Sequence, residues 1–132
     1  MQRDKKIMGL PKEWIRRAQS NLAIAKQPRT KEIFLEDLCF ETQQAAEKAL
    51  KAVLISRKIP FRLVHDLAEL ITLLEKDGMS LPKDVRNSAV LTDYSVEARY
   101  PGPSEPVTEE EFKKALKIAE YVVSWAESNC RK

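Results

Sequence analysis

The stretch LEDLCFETQQAAEKALKAVLIS, residues 35–56, contains no proline or glycine and repeats its apolar residues with the period of an α-helix. At about 100° per residue, one arc of this helix collects apolar and small side chains: Leu35, Leu38, Cys39, Thr42, Ala45, Ala46, Ala49, Leu50 and Val53. The opposite arc collects Asp37, Glu41, Gln44, Lys48 and Lys51. Because alanines occupy the middle of the apolar arc, neighbouring helices can approach closely there. The pattern predicts a long central helix from about residue 31 to 58, capped by Thr30 and contacted on more than one side.

Four further segments have helical periodicity, and no segment alternates apolar and polar residues with the period of a strand. These segments run from Pro11 to just before Pro28, from about His65 to Gly78, from about Pro82 through Ala89, and from a capping box at Thr108–Glu111 through Ala126. The proline-rich run YPGPSEP, residues 100–106, predicts a loop. The expected fold class is therefore all-α: an antiparallel up-and-down bundle of four to five helices with a long central second helix.

Length and composition fit one folded domain. The chain has 132 residues, of which 43% are hydrophobic and 33% charged, a balance typical of globular rather than disordered proteins. We expect an N-terminal arm at residues 1–10 and a single helical-bundle domain at residues 11–130. No apolar run approaches the ~20 residues of a membrane span, and no secretory segment is recognisable, so we expect a cytoplasmic protein without membrane contact. Cys39 and Cys130 are expected to be free thiols.

The basic residues are concentrated towards the N-terminus. Residues 1–34 hold nine Lys or Arg against three Asp or Glu, whereas the rest of the chain contains more acidic than basic residues. Such a region suits contact with RNA or with an acidic partner. A solvated helix face is the competing interpretation.

Residues that could carry catalytic chemistry are few. His65 is the only histidine, so an acid–base mechanism based on histidine has to use it or borrow a residue from another chain. The alternative is that His65 and its neighbour Asp66 cap or pack the start of the third helix. No second histidine and no cysteine pair supplies metal ligands, and the acidic residues fall on predicted solvated faces. We therefore expect neither a metal ion nor a cofactor.

Two groups of polar residues are candidate ligand contacts. Gln43 and Glu47 lie one helical turn apart at the edge of the buried arc. There they either form a polar surface that contacts a ligand or make an interhelical hydrogen-bond pair. The second group comprises Arg86, Tyr94, Arg99 and Tyr100. Arginines can bind a phosphate and tyrosines can stack on a base, but the same residue types also form dimer contacts.

Three blocks of sequence occur in the order and at the spacing of one protein family. They are DLCFETQQAAEKALKAVL at 37–54, His65-Asp66-Leu67 followed by Leu70, and Ala98-Arg99-Tyr100-Pro101. Together these blocks resemble the HEPN family, named for higher eukaryotes and prokaryotes nucleotide-binding. The resemblance extends from Trp14 to Trp125. The resemblance implies an antiparallel helical bundle, commonly a homodimer, in a small prokaryotic protein often paired with a minimal nucleotidyltransferase, as in toxin–antitoxin systems.

The resemblance also bears on catalysis, because ribonuclease members of the family carry an arginine followed, after four to six intervening positions, by a histidine. Arg86-Asn87 resembles the start of this motif, but the matching positions hold Leu91, Thr92 and Asp93. The imidazole that would act as acid or base is missing there. We therefore expect no catalytic residues and interpret the chain as a non-catalytic binding module, a partner of a minimal nucleotidyltransferase or a binder of a nucleotide or RNA.

Two alternative functions stay open. In a metal-independent ribonuclease of toxin type, Arg86 would stabilise charge at phosphorus while His65 or Tyr94 moves the proton. In a purely structural dimerisation module, the chain would form a stable dimer and bind no ligand. These alternatives differ in whether RNA is cut and in whether any ligand binds.

Overall fold

The computed structural model describes residues 10–95 and 106–130, and within these ranges every regular element is a helix. Helix α1 spans Pro11–Ala25, α2 Leu35–Ser56, α3 Leu67–Lys76, α4 Lys83–Asn87 and α5 Glu109–Ser128. A 3₁₀ helix, Ser88–Tyr94, continues directly from α4. The predicted all-α fold with a long second helix is confirmed. None of these helices combines the length and apolar character that crossing a membrane requires.

Helix α2 is the centre of the packing, and its most extensive contacts are with α1 and α5. Every side chain predicted on the apolar arc is buried. Small side chains let neighbouring backbones approach, and the alanines of α2 without exposed surface are Ala45, Ala46, Ala49 and Ala52. Helix α1 runs antiparallel to α2, because Trp14 lies near Lys51 while Asn21 donates a hydrogen bond to Glu41.

The start of α2 differs from the prediction. The helix begins at Leu35 and Thr30 does not cap it. Instead, the carbonyl of Thr30 accepts a hydrogen bond from the N–H of Ile33 at 3.1 Å, which closes a turn before the helix. The first turn of α2 contains Glu36 and Asp37, whose charges favour the positive end of the helix dipole.

Helix α2 is also buried on part of its polar side. Lys51, which the sequence pattern places opposite the apolar arc, is buried as well, since its side chain is only 6% exposed. Trp14 of α1 and Phe61 of the segment after α2 cover it, with ring centroids 5.9 and 5.7 Å from the Lys51 Nζ atom. Because Trp14 and Phe61 lie outside α2, the sequence pattern of α2 alone could not predict that Lys51 is buried.

Helices α2 and α3 end in the same hydrogen-bond pattern with different residues. At the end of α2, Lys58 N–H donates to Ile55 O at 3.0 Å and Ile59 N–H to Leu54 O at 2.9 Å. This Schellman motif places Lys58 at a φ of +61°, and Gly78 occupies the corresponding position after α3 with a φ of +93°. Because glycine has no Cβ to clash in this left-handed conformation, lysine is the less favourable residue.

Residues 57–66, here called the returning loop, run back along α2. The loop brings His65 beside Glu47, near the middle of that helix. Helix α3 then begins at Leu67, and the Asp66 side chain caps it by accepting a hydrogen bond from Ala68 N–H at 3.0 Å. The start of α3 therefore lies beside the middle of α2 rather than beside its end.

The last two segments show how side-chain hydrogen bonds shape helix ends. Helix α4 is five residues long, and the Ser88 hydroxyl donates to Val85 O at 2.6 Å where the chain changes to the 3₁₀ form. At α5 the predicted capping box is confirmed. Thr108 Oγ1 accepts from Glu111 N–H at 3.0 Å, and a Glu111 carboxylate oxygen accepts from Thr108 N–H at 3.4 Å.

Candidate functional site

Four polar side chains converge where the returning loop meets α2, and we call them the Glu47 cluster: Gln43, Glu47, Lys51 and His65. One oxygen of Glu47, Oε1, accepts hydrogen bonds from Gln43 Nε2 and His65 Nδ1, each at 3.0 Å. The other oxygen, Oε2, accepts from Lys51 Nζ at 2.7 Å. The hydrogen bond between Gln43 and Glu47 therefore lies within α2 and is not interhelical as expected. The hydrogen bond from His65 connects this pair to the returning loop.

The cluster holds an ion pair in the protein interior. Burial favours a raised pKa for Glu47, but hydrogen bonds and charge from Lys51, with hydrogen bonds from His65 and Gln43, lower its pKa below the ordinary 4.5. The ammonium of Lys51 in turn faces the rings of Trp14 and Phe61, a cation–π arrangement that stabilises a desolvated cation. The carboxylate thus stays ionised at neutral pH.

His65 links this buried pair to the surface. Its side chain is 48% exposed, and a carboxylate acceptor at Nδ1 requires that nitrogen to carry a proton. When the ring is neutral, Nε2 is then the basic nitrogen. Gln43 Nε2 also donates to the backbone carbonyl of His65 at 3.0 Å, so both the ring and the backbone of this residue are held in place.

Tyr94 makes its hydrogen bond to α5 and not to the Glu47 cluster. Its hydroxyl donates to Glu111 Oε2 of α5 at 2.7 Å. Burial, together with this hydrogen bond, raises the pKa of Tyr94 well above its ordinary range. The phenol therefore keeps its proton at neutral pH and acts as a hydrogen-bond donor.

The remaining predicted site residues divide between the surface and the residues that the structure does not describe. Arg86 is exposed on α4, and within the described ranges no hydrogen bond or ion pair joins it to the Glu47 cluster or to Tyr94. Arg99 and Tyr100 lie outside the described residues. The structure thus brings together Gln43, Glu47 and His65, but it does not unite them with Arg86.

Lys51 is the member of the cluster that sequence reasoning missed. Its spacing of four residues from Glu47 was a usable signal, because oppositely charged side chains at this spacing meet on a helix. Its burial required knowledge of Trp14 and Phe61, which come from other segments. Among the residues that the structure describes, no group of three or more His, Cys, Asp or Glu side chains is arranged to hold a metal ion.

A model of the HEPN domain matches residues 11–129. The chain belongs to the HEPN domain family. Among solved structures, TT1696 from Thermus thermophilus is 29% identical, with a TM-score of 0.74 over 90% of this chain and 97% of that chain. ST0689, an archaeal HEPN homologue, is 22% identical, with a TM-score of 0.73 over 92% of this chain and 98% of that one. A search of curated proteins found no match.

Membership of the HEPN family confirms the resemblance drawn from the central helix and the blocks that follow it. Three members of the Glu47 cluster, Gln43, Glu47 and Lys51, lie on the long second helix of this fold. The family match and the shared fold name no activity for this chain, so its function has to be argued from its own residues.

Proposed function

We propose that this HEPN domain is a non-catalytic binding module, a cytoplasmic homodimer that binds a minimal nucleotidyltransferase, a nucleotide or RNA. One observation carries the proposal: the positions where a histidine would follow Arg86 hold Leu91, Thr92 and Asp93. Leu91 is 1% exposed, and Thr92 Oγ1 accepts a hydrogen bond from Leu67 N–H at 3.0 Å. Two of the three positions thus stabilise the fold, and none supplies an imidazole.

The surface around Arg86 supports a binding role. Arg86, Asn87 and Asp93 are exposed, and Val90 between them is 56% exposed. A guanidinium can donate two parallel hydrogen bonds to a phosphate or carboxylate, and a neighbouring apolar side chain adds contact area. Such a surface suits a phosphate-bearing ligand or a protein partner.

The proposed site also includes Tyr94, Arg99 and Tyr100, on the reasoning that arginine binds phosphate and tyrosine stacks on a base. Gln43 and Glu47 receive a different role in this proposal. Because both are buried and hydrogen-bonded within the Glu47 cluster, they hold the returning loop in position instead of contacting a ligand directly.

Isothermal titration calorimetry tests this function. Purified chain is titrated with ATP, GTP, an RNA oligonucleotide and any minimal nucleotidyltransferase encoded beside its gene. Arg86→Ala is expected to weaken binding about tenfold or more, since the lost hydrogen bonds are to a charged group. Lys117→Ala, which removes an exposed cationic side chain from α5 outside the basic N-terminal region, serves as the control. A stable dimer that gives no heat with any of these ligands would contradict the proposal and favour a purely structural module.

A metal-independent ribonuclease is the second candidate, and the Glu47–His65 hydrogen bond is the observation that favours it. A buried carboxylate that fixes Nδ1 leaves Nε2 of His65 basic and able to move a proton. Arg86 would then stabilise charge at phosphorus. Tyr94 is a poor base here because its pKa is raised. RNA cleavage that needs both His65 and Arg86 would establish this candidate.

A further inference from the structure

The returning loop forms one side of a shallow groove, open to solvent, at the end of α2. This groove has a volume of about 340 Å³ and is lined by Ile55, Lys58, Ile59, Pro60 and Phe61. Just beyond it in the chain, Leu63 is 80% exposed, the largest exposed fraction among the large hydrophobic side chains of the described residues. The residues that line the groove are apolar apart from Lys58.

The loop is preformed although it has no helix or strand of its own. Contacts to two helices hold the loop along its length. Because the loop is already ordered, binding a partner would cost little conformational entropy. Two of these contacts reach α2: the Phe61 ring centroid lies 5.7 Å from Lys51 Nζ, and His65 lies 3.0 Å from Glu47. The other two are ion pairs, Arg62 with Glu69 of α3 at 2.8 Å and Arg57 with Asp77, just past the end of α3, at 2.9 Å.

These contacts also decide which positive charge the groove offers. The guanidinium groups of Arg57 and Arg62 are each paired with a carboxylate. Lys58 has no ion pair within the described ranges, and it lines the groove. The surface therefore combines apolar walls with the ammonium group of Lys58.

Lys58 occupies a backbone position that suits glycine better. Its φ of +61° lies in the left-handed region, where a Cβ atom meets the neighbouring carbonyl oxygen. The matching position after α3 is Gly78. Lys58 is thus an unfavourable residue for the Schellman motif that ends α2, and it places a lysine side chain at the groove, an outlier from which a functional role can be inferred.

We propose that this groove docks a short segment of a protein partner in which a bulky apolar side chain stands next to a carboxylate. The apolar side chain covers Ile55, Ile59 and Phe61, and the carboxylate pairs with Lys58. Charge complementarity selects this occupant, because the charged residue that lines the groove is a lysine and its other walls are apolar. The inference rests on the protein-partner form of the proposed function and names the surface that such a partner contacts.

Amide NMR spectra of the isotope-labelled full chain test the docking groove. The probes are three capped tetrapeptides: Leu-Leu-Glu-Glu, Leu-Leu-Lys-Lys and Ser-Ser-Glu-Glu. The first should shift resonances of residues 55–63, and the other two should bind less tightly. Lys58→Gln is expected to weaken the first peptide's binding about three- to fivefold, as for a partly exposed ion pair. Lys83→Gln, which neutralises an exposed lysine on α4, should leave it unchanged.

A second variant separates binding from folding. Lys58→Gly should raise the melting temperature, because it relieves the left-handed strain, and should still lose peptide affinity. Three results would each overturn the proposal of a docking groove. They are the absence of shifts in residues 55–63, equal binding of the basic peptide, and an unchanged affinity of the first peptide for Lys58→Gln. A response of these residues to phosphatidylglycerol vesicles but not to the peptide would also overturn it. Binding of nucleotide or nucleotidyltransferase that needs Arg86 but not Lys58 would keep the proposed function while removing this surface.

Discussion

The Nζ atom of Lys51 lies 2.7 Å from Oε2 of Glu47, and the two side chains are only 6% and 5% exposed. A buried ion pair is stable only when its members find further partners that replace water. Glu47 finds them in Gln43 and His65, and Lys51 finds them in two aromatic rings. The pair therefore joins α1, α2 and the returning loop at one point.

Removing one member of this pair should destabilise the fold strongly. Lys51→Met leaves a buried carboxylate without its ammonium partner, which costs about 3–5 kcal/mol in the free energy of unfolding. Urea unfolding measures this change, and Lys76→Met on the exposed side of α3 should alter it by less than about 0.5 kcal/mol. The double variant Lys51→Met/Glu47→Gln should recover part of the loss. Equal stabilities of Lys51→Met and the control would show that the pair does not stabilise the fold.

Stability should fall in acid because of Glu47. Its pKa is lower in the folded protein than its ordinary 4.5: burial opposes this shift, and Lys51, His65 and Gln43 outweigh it. A carboxyl group with a depressed pKa contributes stability above its unfolded pKa and loses it as the pH falls through the folded pKa. Urea midpoints measured from neutral pH down to about 3 should therefore decline less below 4.5 in Glu47→Gln than in the unaltered chain. Parallel declines in the two proteins would contradict this role.

Both cysteines should react slowly while the protein is folded. Burial, with the negative charges of Glu111 and Glu36, raises the pKa of Cys39 to about 12. Burial raises the pKa of Cys130 to about 11. Because the thiolate is the reactive form, Ellman's reagent at mildly alkaline pH should label both rapidly only in denaturant. Fast labelling of Cys39 in native buffer would show that the start of α2 opens readily.

The capping box of α5 should contribute measurably to stability. Thr108→Ala removes the oxygen that accepts from Glu111 N–H, a loss of about 1 kcal/mol in the free energy of unfolding. Thr72→Ala, at an exposed position within α3, is the matched control and should not destabilise. If both variants unfold at the same denaturant concentration, the box is not a stabilising contact.

Local patterns were enough to predict most of the fold. The apolar arc of α2, Pro11 at the start of α1, Gly78 after α3 and the capping box of α5 each depend on residues within a few positions of one another. Such interactions can be read from sequence because a helix fixes the spacing of its own side chains. The false cap at Thr30 shows the limit, since a short turn uses the same residue types as a helix start.

The site was harder to predict because its contacts cross the chain. His65 reaches Glu47 only because the returning loop runs back along α2, and no sequence period encodes that path. Lys51 becomes buried because Trp14 and Phe61 arrive from two different segments. The missing histidine after Arg86, by contrast, is a property of sequence alone, and it is the observation on which the choice of binding over cutting depends.

Incubation of the purified chain with an end-labelled RNA of mixed sequence, in buffer with EDTA, tests most directly whether this HEPN domain binds without cutting. The RNA should stay intact with the unaltered chain, with Arg86→Ala and with His65→Asn alike, because no histidine stands where the ribonuclease motif needs one. Metal-independent cleavage by the unaltered chain that disappears in both variants would contradict the account and establish a ribonuclease.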